Sequence, residues 1–315
     1  MASGFFYFSC NLDYMNRFDE YIRFLASEKK YSPHTVKAYA SDLKAAQDYF
    51  KFTIDEHTGL SDLNYPLIRN YIAYLNAQGM SARSINRKMS VLNGYYQYER
   101  RNGPLKQNPL EAHKALKTPH SVSVPFSEEE MEQLDQRWMR QDDSFSTLRN
   151  RLIIEVLYAT GMRRSELIEL KTTDLDPERG TLRVLGKGKK ERLVPVIESV
   201  LVLFKQYIAL KTHQFDYPNL VLFTTDKGKK LYPEFVYRLV NSYLKEVSVK
   251  QKKSPHMLRH TFATHLLNRG ADLNTVKELL GHSSLAATQV YTHSSIEELK
   301  SVYKSSHPRG ERFSS

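Results

Sequence analysis

The chain has 315 residues, enough for two domains of ordinary size, and its 46 Lys and Arg against 35 Asp and Glu leave a net charge of +11. That excess suits a polyanionic partner without identifying one, and with 26% charged residues and no apolar run approaching about 18 residues no membrane span is expected. A single cysteine, Cys10, excludes an intramolecular disulfide framework and suits a reducing cytosol.

The opening stretch from Met1 to Cys10 is apolar but lacks a basic n-region, so it does not read as a signal peptide, and Met15 stands as an alternative initiator. From about Asn11 to Ala115 the pattern is mostly helical, with Ser32-Pro33 and the stretch from Ser81 to Ser84 as helix starts. Lys117 to Pro125 is polar, bracketed by prolines and poor in helix formers, the composition of an interdomain linker. Ser127-Glu128-Glu129-Glu130 then forms a capping box that opens a second domain.

Within that domain a long apolar helix containing Leu152, Ile153, Val156 and Leu157 should end at Gly161, with a new helix beginning near Ser165. Arg163 therefore falls in a tight turn, although an arginine in a turn is ordinarily just solvated. Leu182 and Val184, then Leu193, Val194 and Val196, read as two strands joined by Gly186-Lys187-Gly188-Lys189-Lys190. A Gly/Lys turn is commonly a solvated hairpin tip, and this one is no P-loop, because the second glycine and the Lys-Ser/Thr pair of that pattern are missing.

Ser254 is a good N-cap and Pro255 fits the first helical position, so His256 and Arg259 should stand one turn apart on one face. A helix start already favours an anion through its unpaired N–H groups, and a guanidinium adds a planar fork that matches two phosphate oxygens. Leu258, Phe262, His265 and Leu266 recur on the adjoining face and should be buried. Leu273 to Leu280 reads as a short helix stopped by Gly281, with His282 in the joint and Ser283 or Ser284 capping a further helix that carries Tyr291.

Tyr291 lies nine residues past His282, and the two histidines, the arginine and the tyrosine suggest phosphodiester chemistry. A phenol has a pKa of roughly 10 and needs nearby cations and a base before it attacks phosphorus. Each residue has an ordinary reading as well, since the chain holds 20 tyrosines and 11 histidines that pack or face solvent. His256 and His260, four apart and followed by His265, also allow a metal site, but the glutamate of the metalloprotease pattern is absent.

Taken together, Thr160-Gly161-Met162-Arg163-Arg164-Ser165-Glu166-Leu167, Gly186-Lys187-Gly188, His256-Met257-Leu258-Arg259-His260, Gly281-His282 and Tyr291 resemble the catalytic signature of the tyrosine recombinase (integrase) family. Their intervals agree with its bacterial Xer-type branch. Tyr31 to Tyr39, Ser84 to Ser90 and Asn108-Pro109 resemble that branch's core-binding domain, so the resemblance runs from about Met15 to about Lys304.

The resemblance implies a mainly α fold with a small antiparallel β-sheet: a helical, SAM-like core-binding domain over 11–116, a linker over 117–125 and an α+β catalytic domain over 126–315. It implies that Tyr291 attacks a DNA phosphodiester and leaves a 3′-phosphotyrosyl link with a free 5′-hydroxyl. Arg163 and Arg259 would hold the non-bridging oxygens, and Lys187 would protonate the leaving 5′-oxygen. His256 would assist proton transfer with the tyrosine and His282 would hydrogen-bond the phosphate.

No metal or other cofactor is then expected, because two fixed guanidinium groups stabilise the charge on a phosphorane-like transition state. Arg164 is an extra cation that either contacts DNA or faces water, with water preferred. Lys37, Arg83, Arg87 and Lys88 are candidates for backbone contacts from the N-terminal domain.

The implied partner is a duplex DNA recombination site, bound by a homo- or hetero-tetramer on two duplexes in the cytoplasm, with a second recombinase and an accessory DNA motor left open. Ile296, Leu299, Val302 and Tyr303 form a short apolar stripe after the nucleophile; it would either fold back on its own domain or pass to a neighbouring protomer. Resolution of chromosome or plasmid dimers is the expected role. A mobile-element integrase, a DNA invertase, a topoisomerase with the same tyrosyl intermediate and a catalytically inert DNA-binding architectural protein are the alternatives.

Overall fold

The computed structural model describes residues 17–118, 123–139, 141–186, 190–215, 220–281 and 293–310, the last span with side chains from residue 299 onward. The chain divides into two compact units, residues 1–121 and 122–315.

The first unit is helical: α1 (17–27), α2 (Pro33–Thr53), α3 (Tyr65–Ala77) and α4 (Ala82–Asn102). Each of the last three begins on a polar N-cap whose side chain accepts a backbone N–H: Ser32 from Thr35, Asn64 from Leu67 and Ser81 from Ser84. α4 packs against α2 and α3 and supplies Ile85, Met89, Leu92, Tyr95 and Tyr96 to a core that also holds Leu43, Phe50, Ile68 and Tyr71. The polar edge of α4 is tied down as well, because the buried Asp42 carboxylate accepts hydrogen bonds from both Arg87 and Lys88.

The second unit opens with α5 (Glu128–Trp138), whose capping box pairs the Ser127 hydroxyl with Glu130 N and the Glu130 carboxylate with Ser127 N at 2.7 Å. Next comes α6 (Phe145–Thr160), in which every residue from Leu152 to Thr160 is buried, as expected of a helix at the centre of a core. It packs against α7 (Arg164–Glu169), α8 (Glu198–Gln214), α9 (Pro233–Val247) and α10 (Pro255–Asn268). Fully burying a Leu or Phe side chain is worth about 1.5–3 kcal/mol, so Leu152, Leu157, Phe204, Leu258 and Phe262, all at 0% exposure, form a large part of what holds this unit together.

Between α7 and α8 lies a three-stranded antiparallel sheet, β1 (Leu175–Asp176), β2 (Thr181–Leu185) and β3 (Glu191–Pro195), in the order β1-β2-β3. Leu182 faces Val194 and Leu185 faces Glu191 across the β2–β3 hairpin, which Gly186 N closes by donating to the Lys190 carbonyl at 2.8 Å. The sequence showed two of the three strands; β1 has only two residues, too few for any alternation to appear. α11 (Leu273–Leu280) and α12 (His293–Ser306) complete the unit, and α12 packs on α10 and β3 of its own chain. No helix among the described residues is long and apolar enough to cross a membrane.

Candidate active site

The site is built where four helix ends meet. α10 starts as its sequence requires: Ser254 Oγ accepts Met257 N at 3.4 Å and Pro255 occupies the first turn. That start leaves His256 exposed and places Arg259, one turn later, at 7% exposure.

The Arg259 guanidinium donates from Nη1 to the Gly161 carbonyl and from Nη2 to the Leu280 carbonyl, both at 2.7 Å. These carbonyls end α6 and α11, so the cation sits between two helix C-termini, whose negative dipole ends favour it. Both helices stop at a glycine in the left-handed region, Gly161 with φ +58° and Gly281 with φ +65°. Burial, followed by the neighbouring charge of Arg163, pushes Arg259 down to about 10. It stays charged at neutral pH, with carbonyls rather than a carboxylate around it, and therefore gains from an incoming anion.

Arg163 occupies the N-cap position of α7. Glu166, three residues on, folds back to accept Arg163 N on Oε2 and Arg163 Nη1 on Oε1, both at 2.8 Å. Burial alone would raise the Glu166 carboxyl; the hydrogen bonds and charge of Arg192, with the contacts from Arg163, outweigh it and hold the group below the usual carboxylate range. Arg163 remains partly exposed.

Arg163, Arg259 and His256 line one cavity of about 340 Å³, joined there by Arg164, Ser165 and Tyr237. Arg164, which the sequence suggested would face water, is only partly exposed and donates to the Pro233 carbonyl at 3.2 Å. Three cations and an imidazole around one opening favour an anion there. Lys187, His282 and Tyr291 lie outside the described residues. A second cavity of about 310 Å³, beside Arg179, Lys300 and Arg309, contains none of the predicted site residues.

The three histidines of α10 take separate surroundings. His256 faces the cavity, His260 Nε2 lies 3.1 Å from the Ser123 carbonyl, and His265 is buried. His265 Nε2 meets the Phe126 carbonyl at 2.8 Å and must donate to it, so Nδ1 accepts from Tyr158 Oη at 2.9 Å. Burial lowers its pKa, and it serves as a core hydrogen-bonding residue. Among the described residues no group of three or more His, Cys, Asp or Glu could hold a metal ion. In the first unit Lys37 and Arg83 are exposed, while Arg87 and Lys88 are engaged with Asp42.

Residues 125–298 match the phage integrase family, and residues 18–103 match the SAM-like N-terminal domain of phage integrases. The chain belongs to the phage integrase family of tyrosine recombinases. Among curated relatives, tyrosine recombinase XerC of Chlorobaculum parvum is 36% identical over 318 residues, spanning 92% of this chain and 94% of that one. Tyrosine recombinase XerC of Staphylococcus saprophyticus is 37% identical over 292 residues, spanning 93% and 97%. The crystal structure of the XerH site-specific recombinase bound to its difH substrate, a pre-cleavage complex, superposes with a TM-score of 0.65 at 27% identity, covering 85% of this chain and 79% of that one. The protein is a site-specific tyrosine recombinase of the Xer type, a DNA strand-exchange enzyme.

Sequence reasoning gave no role to two residues beside Arg163, namely Glu166 and Arg192. Glu166 stands three residues after the N-cap residue Arg163, the spacing of a capping-box partner, but nothing local reveals that it anchors the Arg163 side chain. Arg192 carries no signal at all, since an arginine on a strand next to a Lys-rich turn reads as a solvated charge.

Proposed function

We propose that this recombinase cuts and rejoins duplex DNA at a specific site through a 3′-phosphotyrosyl intermediate on Tyr291. The observation that supports this is the convergence of Arg163, Arg259 and His256 on one cavity from parts of the chain some 90 residues apart. Arg163 and Arg259 take the two non-bridging oxygens, where charge builds up in the transition state. The Tyr291 oxygen forms the new bond to phosphorus and its proton passes to His256. The bond to the 5′-oxygen breaks, and that oxygen leaves with a proton from Lys187; His282 hydrogen-bonds the phosphate. Rejoining is the same sequence in reverse, with an incoming 5′-hydroxyl.

In this reading residues 11–116 form the core-binding domain, with Lys37, Arg83, Arg87 and Lys88 toward the DNA backbone, 117–125 the linker and 126–315 the catalytic domain. The biological role is resolution of chromosome or plasmid dimers in the cytoplasm by a tetramer on two duplexes, supported by the XerC relatives. Whether a second recombinase shares the tetramer, and whether a DNA motor activates it, follows from assembly with purified partners.

The test is incubation of wild type and Tyr291→Phe with labelled, nicked DNA carrying the host's candidate dimer-resolution site, resolved on a denaturing gel. A wild-type adduct that the variant lacks, with DNA binding retained by both, is the expected result. DNA binding without an adduct on any of a library of genomic fragments would instead favour an inert architectural protein.

A further inference from the structure

Arg192 is 6% exposed and touches several parts of the site at once. Its Nη1 and Nη2 donate to Glu166 Oε1 and Oε2 at 3.2 and 2.9 Å. Its Nε donates to the Leu279 carbonyl at 3.0 Å, beside the Leu280 carbonyl that Arg259 takes. The two arginines together therefore satisfy the carbonyl end of α11, from which the chain continues to His282. A β-carbon on Gly281 would stand 3.1 Å from Arg192 Cδ, and one on Gly186, the residue before Lys187, 3.7 Å from Arg192 Nη1.

The electrostatics give this arrangement a consequence for the reaction. Both Glu166 oxygens are shared, each accepting one group from Arg163 and one from Arg192. Without Arg192 the carboxylate would be left to Arg163 alone and would cancel the charge that has to meet the phosphate. With it, Arg163, Arg192 and Arg259 against Glu166 leave three positive charges minus one, a local sum of +2. Glu166 can thus orient Arg163 without neutralising it.

We infer that Arg192 is a positioning residue for strand cleavage: it occupies Glu166 so that Arg163 keeps its charge for the scissile phosphate, and it fixes the end of α11 that leads to His282. This rests on the proposed function, in which Arg163 binds the non-bridging oxygens. Arg192→Lys keeps the charge and loses the fork that reaches two carboxylate oxygens and a carbonyl together; Arg192→Met loses both.

Single-turnover adduct formation on nicked DNA, with core-site affinity measured alongside, reads the effect. Arg192→Lys slows adduct formation by about 10²-fold, the scale expected for a misplaced catalytic group, and changes DNA affinity less than threefold; Arg192→Met is slower still. If Arg192→Met fails to fold, Arg192→Lys carries the test alone.

A second substrate separates positioning from general damage to the fold. With a neutral methylphosphonate at the scissile position there is no anionic oxygen for Arg163 to meet, and the gap between wild type and Arg192→Lys shrinks at least tenfold. Wild-type rates in Arg192→Lys, or equal slowing on both substrates, overturn the inference. Absence of any wild-type adduct would instead overturn the proposed function, and this role of Arg192 with it.

Discussion

Gly161 joins the fold to the site, and Gly161→Ala tests that link. The residue caps α6 at φ +58°, its carbonyl holds Arg259, and a β-carbon there would lie 2.3 Å from Phe262 Cδ1 and 2.8 Å from Leu280 Cδ2. Two costs follow. Placing alanine in the left-handed region costs about 1–2 kcal/mol, and forcing a methyl group into a packed interior costs about 1–3 kcal/mol more. Gly270→Ala is the internal comparison, because Gly270 has φ +88° in the same unit and a β-carbon there would meet nothing within 4 Å.

Gly161→Ala should therefore lose about 2–5 kcal/mol and Gly270→Ala about 1–2 kcal/mol. At about 2–4 °C per kcal/mol for a unit of this size, the steric part alone separates their melting temperatures by about 2–12 °C. Thermal unfolding of the two variants beside wild type measures the difference. Equal losses would show that the crowding by Phe262 and Leu280 carries no energy and would refute the reasoning. The Gly161 variant should also slow adduct formation, since the carbonyl it displaces is one of the two that hold Arg259.

Two further outcomes concern the tail that follows α12. His307 lies against the rings of Tyr158, Phe262 and Tyr303, and burial pushes it down to about 3. With the folded value below the unfolded one, its contribution is complete above the unfolded pKa of about 6.5 and is lost as pH falls toward 3, at up to about 1.4 kcal/mol per pH unit. His265, shifted in the same direction by burial, adds to this slope. Urea unfolding of wild type and His307→Gln between pH 7.5 and pH 5 should show a shallower pH dependence in the variant, and coincident slopes would count against the assignment. Arg309 is buried beside Glu155 and Asp135 with its guanidinium over the Tyr158 ring, so Arg309→Ala leaves the Glu155 carboxylate buried without its cation. The expected loss is about 3–5 kcal/mol, and a change below about 1 kcal/mol on thermal unfolding would contradict the reading.

Features that depend on only a few consecutive residues could be read directly from the chain. Ser254-Pro255 starts α10, Gly161 and Gly281 stop α6 and α11, Ser127 and Glu130 close a capping box, and the burial of Leu258, Phe262, His265 and Leu266 follows from helical spacing. The family was legible for the same reason, since its signature is a set of short runs. Tertiary structure alone decided how the cations are used. Arg192 and Glu166 are 26 residues apart, Arg192 and Leu279 are 87 apart, and Arg259 reaches back 98 residues to Gly161. No periodicity or cap encodes such pairs. A buried charge must find whichever carboxylates and carbonyls the packed helices bring within about 3 Å. The tail followed the same logic: its stripe was visible in the sequence, but the landing of Tyr303, His307 and Arg309 among Tyr158, Glu155 and Phe262 depended on α6 and α10 already standing side by side.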